Sequence, residues 1–438
     1  MMARRLDVYL YDSPAAQLEY LGRNNYRLAY SAAWQEIDGP SISLSLPTAQ
    51  RIHSGRVVSD FLDNLLPDSS AVREEWARQD GLSEADPFQL LAIHGADVAG
   101  ALEFYPEGQP VRTDGLLDPV SDQEIANRIR AIRDDRPVPI AEEAGNGKFS
   151  LGGAQGKFAL AFREGEWFDP TGIHPSTHIA KPKVTGLDDG EIIEHITMAS
   201  MTILGIPAAE TELVSFKDEH TLMVKRFDRE KFADGTLHRI HQEDMAQALG
   251  VPRLKKYEKD GGPNYRKILD VLDRIPARET AALAKERFAK SLMFSWIVLN
   301  TDAHSKNYSL QRLPRNFDLT EMYDVSSLLP YTVPRGESQD ELLAAFNQTS
   351  LSMKIAGSYQ AGSMGAFEWT AVARDAGLNT EEFLDWALLR AEVAPAVFRA
   401  VADTLPERHQ TTVVELFLER LDARSDQVRS QLSRKIRV

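Results

Sequence analysis

Asp302 and Asn307, five residues apart, and Asp324 further along the chain are oxygen-bearing side chains in an order that can transfer a phosphoryl group. In such a site the first Asp accepts the proton of an attacking hydroxyl. The Asn and the later Asp hold Mg²⁺ against the phosphates of ATP. Magnesium prefers hard oxygen ligands and usually takes only one or two from protein, so Asn307 and Asp324 suffice. Taken alone, an Asp-x₄-Asn pair also describes a loop turn or a helix cap.

The surrounding elements favour the chemistry. Residues 292–299 form a compact apolar run that reads as a buried helix delivering a loop. Residues 308–311 read as a strand, Pro314-Arg315-Asn316 as a turn and 317–322 as a returning strand. Such a hairpin carries Asp324 back beside the loop of Asp302. No His-Arg-Asp precedes the base and no Asp-Phe-Gly follows it, so this is not an ordinary eukaryotic-type kinase.

A chain of 438 residues can bury a sizeable core and should divide into two or three lobes. With 43% hydrophobic and 26% charged residues it reads as globular, not disordered. No apolar run reaches the roughly 18–20 residues that span a bilayer, and the N-terminal residues lack a signal-peptide core. The absence of cysteine excludes disulfides and thiolate zinc sites and fits a cytoplasmic protein. A net charge of −15 repels a phosphate backbone, so the chain should be a poor DNA binder on its own. Local basicity survives at Arg253, Lys255 and Lys256, and in a tail carrying Arg424, Arg429, Arg434, Lys435 and Arg437. That tail also reads as a solvated helix end.

Periodicity gives a small α/β module over residues 1–110. Its strands fall at 5–12, 18–22, 25–30, 41–46 and 98–105, with helices at 61–77 and 87–93. A β-rich lobe over 111–240 carries a helix at 121–134 and strands at 158–163, 178–181, 212–216 and 221–226, around a helix ending at Gly205. Residues 241–438 turn mainly helical apart from the hairpin. The expectation is an α+β, bilobal, protein-kinase-like fold with a small N-terminal subdomain. Ahead of the strand at 158–163, Gly152, Gly153 and Gly156, with Ala154, Gln155 and Lys157, could bring backbone N–H groups close to phosphates. A plain Gly-rich turn reads equally well, and the Walker A spacing is absent. Lys181, about 25–30 residues on, stands where a kinase-like fold keeps its phosphate-binding cation, though a surface lysine at a strand end reads as well. Residues 222–227 would supply a hinge whose backbone meets adenine. Gln242-Glu243-Asp244 reads as a helix N-terminus and Asp260-Gly261-Gly262-Pro263 as a turn before a helix, both structural. Trp296 reads as core.

With these pieces in place the chain resembles the HipA family, the serine/threonine kinase toxins of bacterial type II toxin–antitoxin modules. The resemblance rests on Asn64-Leu65-Leu66-Pro67, Ser150-Leu151-Gly152-Gly153-Ala154-Gln155-Gly156-Lys157 and Thr177-His178-Ile179-Ala180-Lys181-Pro182. It continues through Val224-Lys225-Arg226-Phe227-Asp228-Arg229 and His241-Gln242-Glu243-Asp244-Met245 to Lys256-Tyr257-Glu258-Lys259-Asp260-Gly261-Gly262-Pro263. Asn300-Thr301-Asp302-Ala303-His304-Ser305-Lys306-Asn307 and Tyr323-Asp324 complete it. Gly152 and Gly156 replace residues that are often Ala and Glu in the family, which would make the loop more pliable.

The resemblance implies ATP and Mg²⁺ as cofactors, Asp302 as catalytic base and Asn307 and Asp324 as metal ligands. It makes Lys181 a phosphate contact and Gly152 to Lys157 the phosphate loop. Val224, Lys225, Arg226 and Phe227 would line the hinge, with His304, Lys306 and Tyr323 also at the nucleotide. It implies inhibitory autophosphorylation at Ser150 and phosphorylation of an aminoacyl-tRNA synthetase, notably glutamyl-tRNA synthetase, to arrest translation. A small HipB-like helix-turn-helix antitoxin would carry the kinase to operator DNA. Two other readings stay open: a kinase-fold co-repressor acting mainly through that antitoxin, and a kinase for a lipid or small molecule.

Overall fold

The computed structural model of the protein describes residues 4–22, 24–109, 115–134, 156–171, 174–184, 186–232, 235–313 and 316–433. The chain folds as two compact units. One comprises Met1–Pro182, Val214–Lys256 and Ser309–Phe317, the other Lys183–Leu213, Tyr257–Tyr308 and Asp318–Val438. Helices and antiparallel sheets are mixed throughout the described residues, which bears out the α+β expectation.

The first unit opens with strands β1 (Arg5–Leu10), β2 (Ser13–Gly22), β3 (Asn25–Tyr30), β4 (Ile52–Ser54) and β5 (Leu102–Pro106), ordered β4-β3-β2-β1-β5. Leu6, Val8 and Leu10 alternate inward along β1, as a one-sided antiparallel strand requires. The first reversal is tighter than the sequence suggests. Tyr11 and Asp12 both take positive φ (54° and 58°), so a two-residue turn matches the strand twist where a continuous strand to residue 12 was expected. The helix expected over 61–77 is broken. Arg56–Asn64 ends before Pro67, and Ser69 caps a second helix, Ser70–Gln79, by accepting the Val72 N–H. Proline lacks the N–H that a continuous helix would need there.

The strand expected at 41–46 is a single bridge between Ser43 and Leu46. Its polar groups are used elsewhere: Ser43 Oγ donates to Glu243 at 2.5 Å and the Leu44 N–H at 3.0 Å. Glu243 belongs to a strand, Gln242–Asp244, and not to a helix start; only Asp244 caps the short helix Met245–Ala248. Burial pushes the Glu243 carboxyl up to about 7, against the pull of Arg312 and the Ser43 and Leu44 hydrogen bonds. An acid whose folded pKa is raised favours folding fully only below its unfolded pKa, and that contribution is lost as pH rises through the folded value. Stability measured by urea unfolding should therefore fall by roughly 3 kcal/mol between about pH 5 and 8. Glu243→Gln should flatten that slope. An unchanged slope in the variant would show that Glu243 is ionised throughout.

The second sheet of this unit orders β6 (Leu117–Pro119), β7 (Phe158–Arg163), β8 (Glu166–Pro170), β9 (His178–Pro182), β10 (Thr211–Phe216) and β11 (Glu219–Lys225) as β10-β11-β9-β7-β8-β6. The helix Asp122–Arg133, started by a capping box between Ser121 and Glu124, lays Ile125, Ala126 and Ile129 on Phe158, Leu160 and Met223. A buried ion pair, Arg128 Nη1 to Asp169 Oδ1 at 2.6 Å, ties this helix to β8. Asp97 and Gly100 of the N-terminal module are locked to the segment after β11 through Arg226, Asp228 and Arg229.

The second unit is mainly helical. Arg278–Ile297, Ala366–Asp375, Thr380–Asp403 and Thr412–Ser433 enclose Phe294, Trp296, Trp369, Phe398, Phe417 and Leu421. Trp296 is core, as expected, with its Nε1–H on the Ala361 carbonyl at 3.0 Å. The basic tail needs correcting. Arg424 is 0% exposed, stacks 5.0 Å from the Trp296 ring centroid and donates to the Trp296 carbonyl, so it is no part of a surface patch. Burial lowers its guanidinium pKa to about 9. Arg434, Lys435 and Arg437 lie outside the described residues. Among the described residues no helix is long and apolar enough to cross a membrane.

Candidate active site

The loop of Asp302 begins at the buried end of Arg278–Ile297. Leu299 takes a positive φ of 52° and turns the chain out of the helix, while the Asn300 N–H closes back on the Ser295 carbonyl at 2.8 Å. A leucine there is strained, and its complete burial offsets the strain. Three carbonyls of the turn are taken up by later segments. Ser327 Oγ donates to Val298 at 2.6 Å, the Leu328 N–H to Leu299 at 3.2 Å and Ser352 Oγ to Thr301 at 2.6 Å. The Asp302 N–H is held by Asn300 Oδ1 at 3.2 Å.

Asp302 then organises its neighbours through its backbone. Its carbonyl accepts the His304 N–H and the Asn307 Nδ2–H, each at 2.7 Å. Fixing Nδ2 in this way leaves Asn307 Oδ1 as that side chain's ligand atom. Ser305–Asn307 is a single 3₁₀ turn, and His304, Lys306 and Asn307 are each less than 8% exposed. The Asp302 carboxylate is not buried: its side chain is 55% exposed, and its Oδ1 accepts a hydrogen bond from the Tyr257 hydroxyl. His304 Nε2 stands 3.8 Å from the same Oδ1.

The returning strand is shorter than expected, Asn316–Leu319, and the rest of the approach is a parallel bridge of Met322 to Ala208. The Met322 N–H donates to Pro207 and its carbonyl accepts the Ala209 N–H, at 2.9 and 2.8 Å. Pinned there, Tyr323 sends its hydroxyl to the Lys306 carbonyl at 2.8 Å, and Asp324 follows in the left-handed region (φ 59°). The contact joins the residue before Asp324 to the residue before Asn307. Among the described residues no three His, Cys, Asp or Glu side chains group to hold a metal. An Asn with one Asp fits an ion that takes most of its ligands from phosphate and water, as Mg²⁺ does.

The HipA N-terminal domain family matches residues 6–105 and the HipA-like C-terminal domain family residues 149–408. The chain belongs to the HipA family. Sinorhizobium fredii putative kinase Y4mE is 32% identical over 385 residues, covering 86% of this chain and 87% of that one. The serine/threonine-protein kinase toxin HipA of Shewanella oneidensis is 30% identical over 338 residues, covering 74% and 76%. The solved structure of Shewanella HipA with HipB and operator DNA matches at a TM-score of 0.81 and 26% identity, over 99% of this chain and 100% of that one. The fold is the HipA-type kinase fold, and this HipA-family member is a serine/threonine kinase.

Lys181, on β9 opposite Leu222, is 6% exposed. Lys225 ends β11 opposite His178 and is exposed. Arg226 is 3% exposed, and its guanidinium binds Asp228, Ser176 Oγ and the Val98 carbonyl, so its side chain is engaged inside the protein. What Arg226 can offer a nucleotide is therefore its backbone. Ser150, Gly152, Gly153, Ala154 and Gln155 lie outside the described residues. Gly156 is described, and its lack of a side chain has a steric reason: a Cβ there would come within 2.6 Å of Ile132 Cγ2. Sequence reasoning missed Tyr257. It sits in a quoted motif, but its neighbours read as a turn, and nothing local shows that its hydroxyl reaches a residue 45 positions on.

Proposed function

We propose that this HipA-family kinase transfers the γ-phosphoryl group of ATP to a serine or threonine hydroxyl of an aminoacyl-tRNA synthetase, as the toxin of a type II toxin–antitoxin module. The observation that carries the reading is the backbone knot at Asp302. One carbonyl holds Asn307, and the Tyr323 hydroxyl closes onto Lys306, so the residues assigned as base and as metal ligands leave one small region. Asp302 takes the proton of the acceptor hydroxyl. Asn307 and Asp324 would hold Mg²⁺, which when bound neutralises charge on the β- and γ-phosphates. Lys181, His304, Lys306 and the Gly152–Lys157 segment take the phosphates, and the backbone around Val224 to Phe227 takes adenine.

The synthetase, glutamyl-tRNA synthetase first, is supported by family membership. Ser150 is the proposed autophosphorylation site. A phosphate there adds nearly two negative charges to a segment meant to hold ATP phosphates, which switches the kinase off. Partnership with a HipB-like antitoxin is supported by the Shewanella relative's complex with HipB and operator DNA, and by a net charge of −15 that leaves DNA contact to the partner. The same complex favours one second reading, a co-repressor whose chemistry is incidental.

Asp324→Ala separates the two. On the kinase reading it lowers phosphate transfer from labelled ATP to the synthetase by about 10²–10³-fold, the scale of losing a charge-stabilising group. Operator binding by the complex with antitoxin should stay within about twofold, as expected for a residue away from the DNA contact. Wild-type transfer by the variant would remove the metal-ligand assignment, and absence of transfer by the wild-type protein would favour the co-repressor.

A further inference from the structure

We infer that Tyr257 is a positioning residue for Asp302, its hydroxyl holding one carboxylate oxygen so that the other faces the acceptor hydroxyl. The inference rests on reading Asp302 as the base. An aspartate with a side chain 55% exposed on a loop would ordinarily sample several rotamers, and only some of them aim an oxygen at an incoming nucleophile. Here the Tyr257 hydroxyl donates to Oδ1 and leaves Oδ2 to accept the proton.

The tyrosine is itself held. Its ring meets His304 edge-on, with centroids 4.8 Å apart at 83°, and His304 is 4% exposed, so the ring rests on a fixed wall. The Lys259 ammonium lies 5.3 Å from the ring centroid. The turn bearing Tyr257 is wound tightly: its carbonyl accepts the Asp260 and Gly262 N–H groups at 3.1 and 2.9 Å, with Gly261 left-handed at φ 88°. One strand, Ser350–Ile355, anchors both partners. The Lys354 N–H donates to the Glu258 carboxylate at 2.7 Å, and Ser352 Oγ donates to the Thr301 carbonyl at 2.6 Å. Tyrosine and aspartate are thus referenced to the same stretch of backbone, the arrangement that fixes a distance between two side chains. A mobile plug would lack this shared anchor.

The test uses the full chain with ATP and Mg²⁺, reading ADP release in the presence of glutamyl-tRNA synthetase. Tyr257→Phe removes the hydroxyl and keeps the ring on His304. Turnover should fall roughly 10- to 100-fold, the scale of a hydrogen bond to a charged group, with the KM for ATP and the melting temperature unchanged. In an Asp302→Asn background the same change should have no further effect on turnover, because the hydroxyl acts only through that carboxylate. Unaltered turnover in Tyr257→Phe overturns the inference. So does a rise, which would mean that the hydroxyl occupies the acceptor's seat. Asp302→Asn at wild-type turnover would instead sink the base assignment, whatever Tyr257→Phe does.

Discussion

Replacing Asp302 by Asn is expected to lower phosphoryl transfer by about 10²–10⁴-fold, the usual worth of a positioned general base. The loss should fall on turnover and not on ATP affinity. The contacts that Asp302 itself gives the loop come from its backbone: its carbonyl holds His304 and Asn307, and its N–H rests on Asn300. None of these is touched by the substitution. The amide oxygen of Asn can still accept the Tyr257 hydroxyl. The variant should therefore fold, bind ATP with near-wild-type affinity by calorimetry and fail only at proton removal. Intact-mass analysis supplies a second readout, since phosphate added by the chain to itself should vanish in the variant. Retention of more than about a tenth of the wild-type rate, well above the range for a lost general base, would show that another group takes the proton.

This outcome bears on the part of the site that was legible in the sequence. The order Asp302, Asn307, Asp324 was readable because the chemistry lies in residue type and spacing, and because the apolar run before it marks the end of a buried helix. The strands expected at 158–163, 178–181, 212–216 and 221–226 fall on β7, β9, β10 and β11, because alternation and turn residues bound them locally. The misreadings share another origin. Residues 41–46 have strand-like composition, but the Leu44 N–H that a strand would use goes, with the Ser43 hydroxyl, to the Glu243 carboxylate about 200 residues away. Gln242-Glu243-Asp244 has helix-start composition, yet it pairs antiparallel with Ser309–Leu313 and only its last residue caps. Arg424 carries a charge that sequence reasoning sends to solvent, while the Trp296 ring and carbonyl hold it inside. In each case a contact distant in sequence overrides a local preference, and local composition carries no sign of it.

The Val224-to-Arg229 motif shows the same limit inside a block that was recognised, and it carries the largest expected effect on stability. Sequence reasoning expected the backbone of residues 222–227 to meet adenine and assigned nothing to the side chains of Asp228 and Arg229. The structure places Arg226, Asp228 and Arg229 in a buried network. Asp228, 2% exposed, accepts Arg226 Nε at 2.9 Å and Nη2 at 2.8 Å, the Gly100 N–H at 2.7 Å and Gln242 Nε2 at 3.1 Å, and lies 3.2 Å from Arg229 Nη1. Burial alone would raise the Asp228 pKa. The Arg226 and Arg229 guanidiniums outweigh it and hold the carboxyl well below the usual range. Arg229 sits lowered at about 10, by burial first and by Arg226 second. Asp228→Ala leaves two buried guanidiniums facing Asp97 and orphans the Gly100 N–H, which should cost about 3–5 kcal/mol. That is a large share of the roughly 5–15 kcal/mol that keeps a typical domain folded. Asp228→Asn, which still accepts from Gly100, should cost less. Because the folded pKa is depressed, this stabilisation is present above the unfolded carboxylate pKa near 4 and is lost as pH falls below it toward the folded value. Urea unfolding at pH 7 and below pH 4 should therefore show the wild type converging on Asp228→Asn in acid. Equal stability of the two proteins at pH 7 would mean that the arginines, and not the carboxylate, hold the N-terminal module to the sheet.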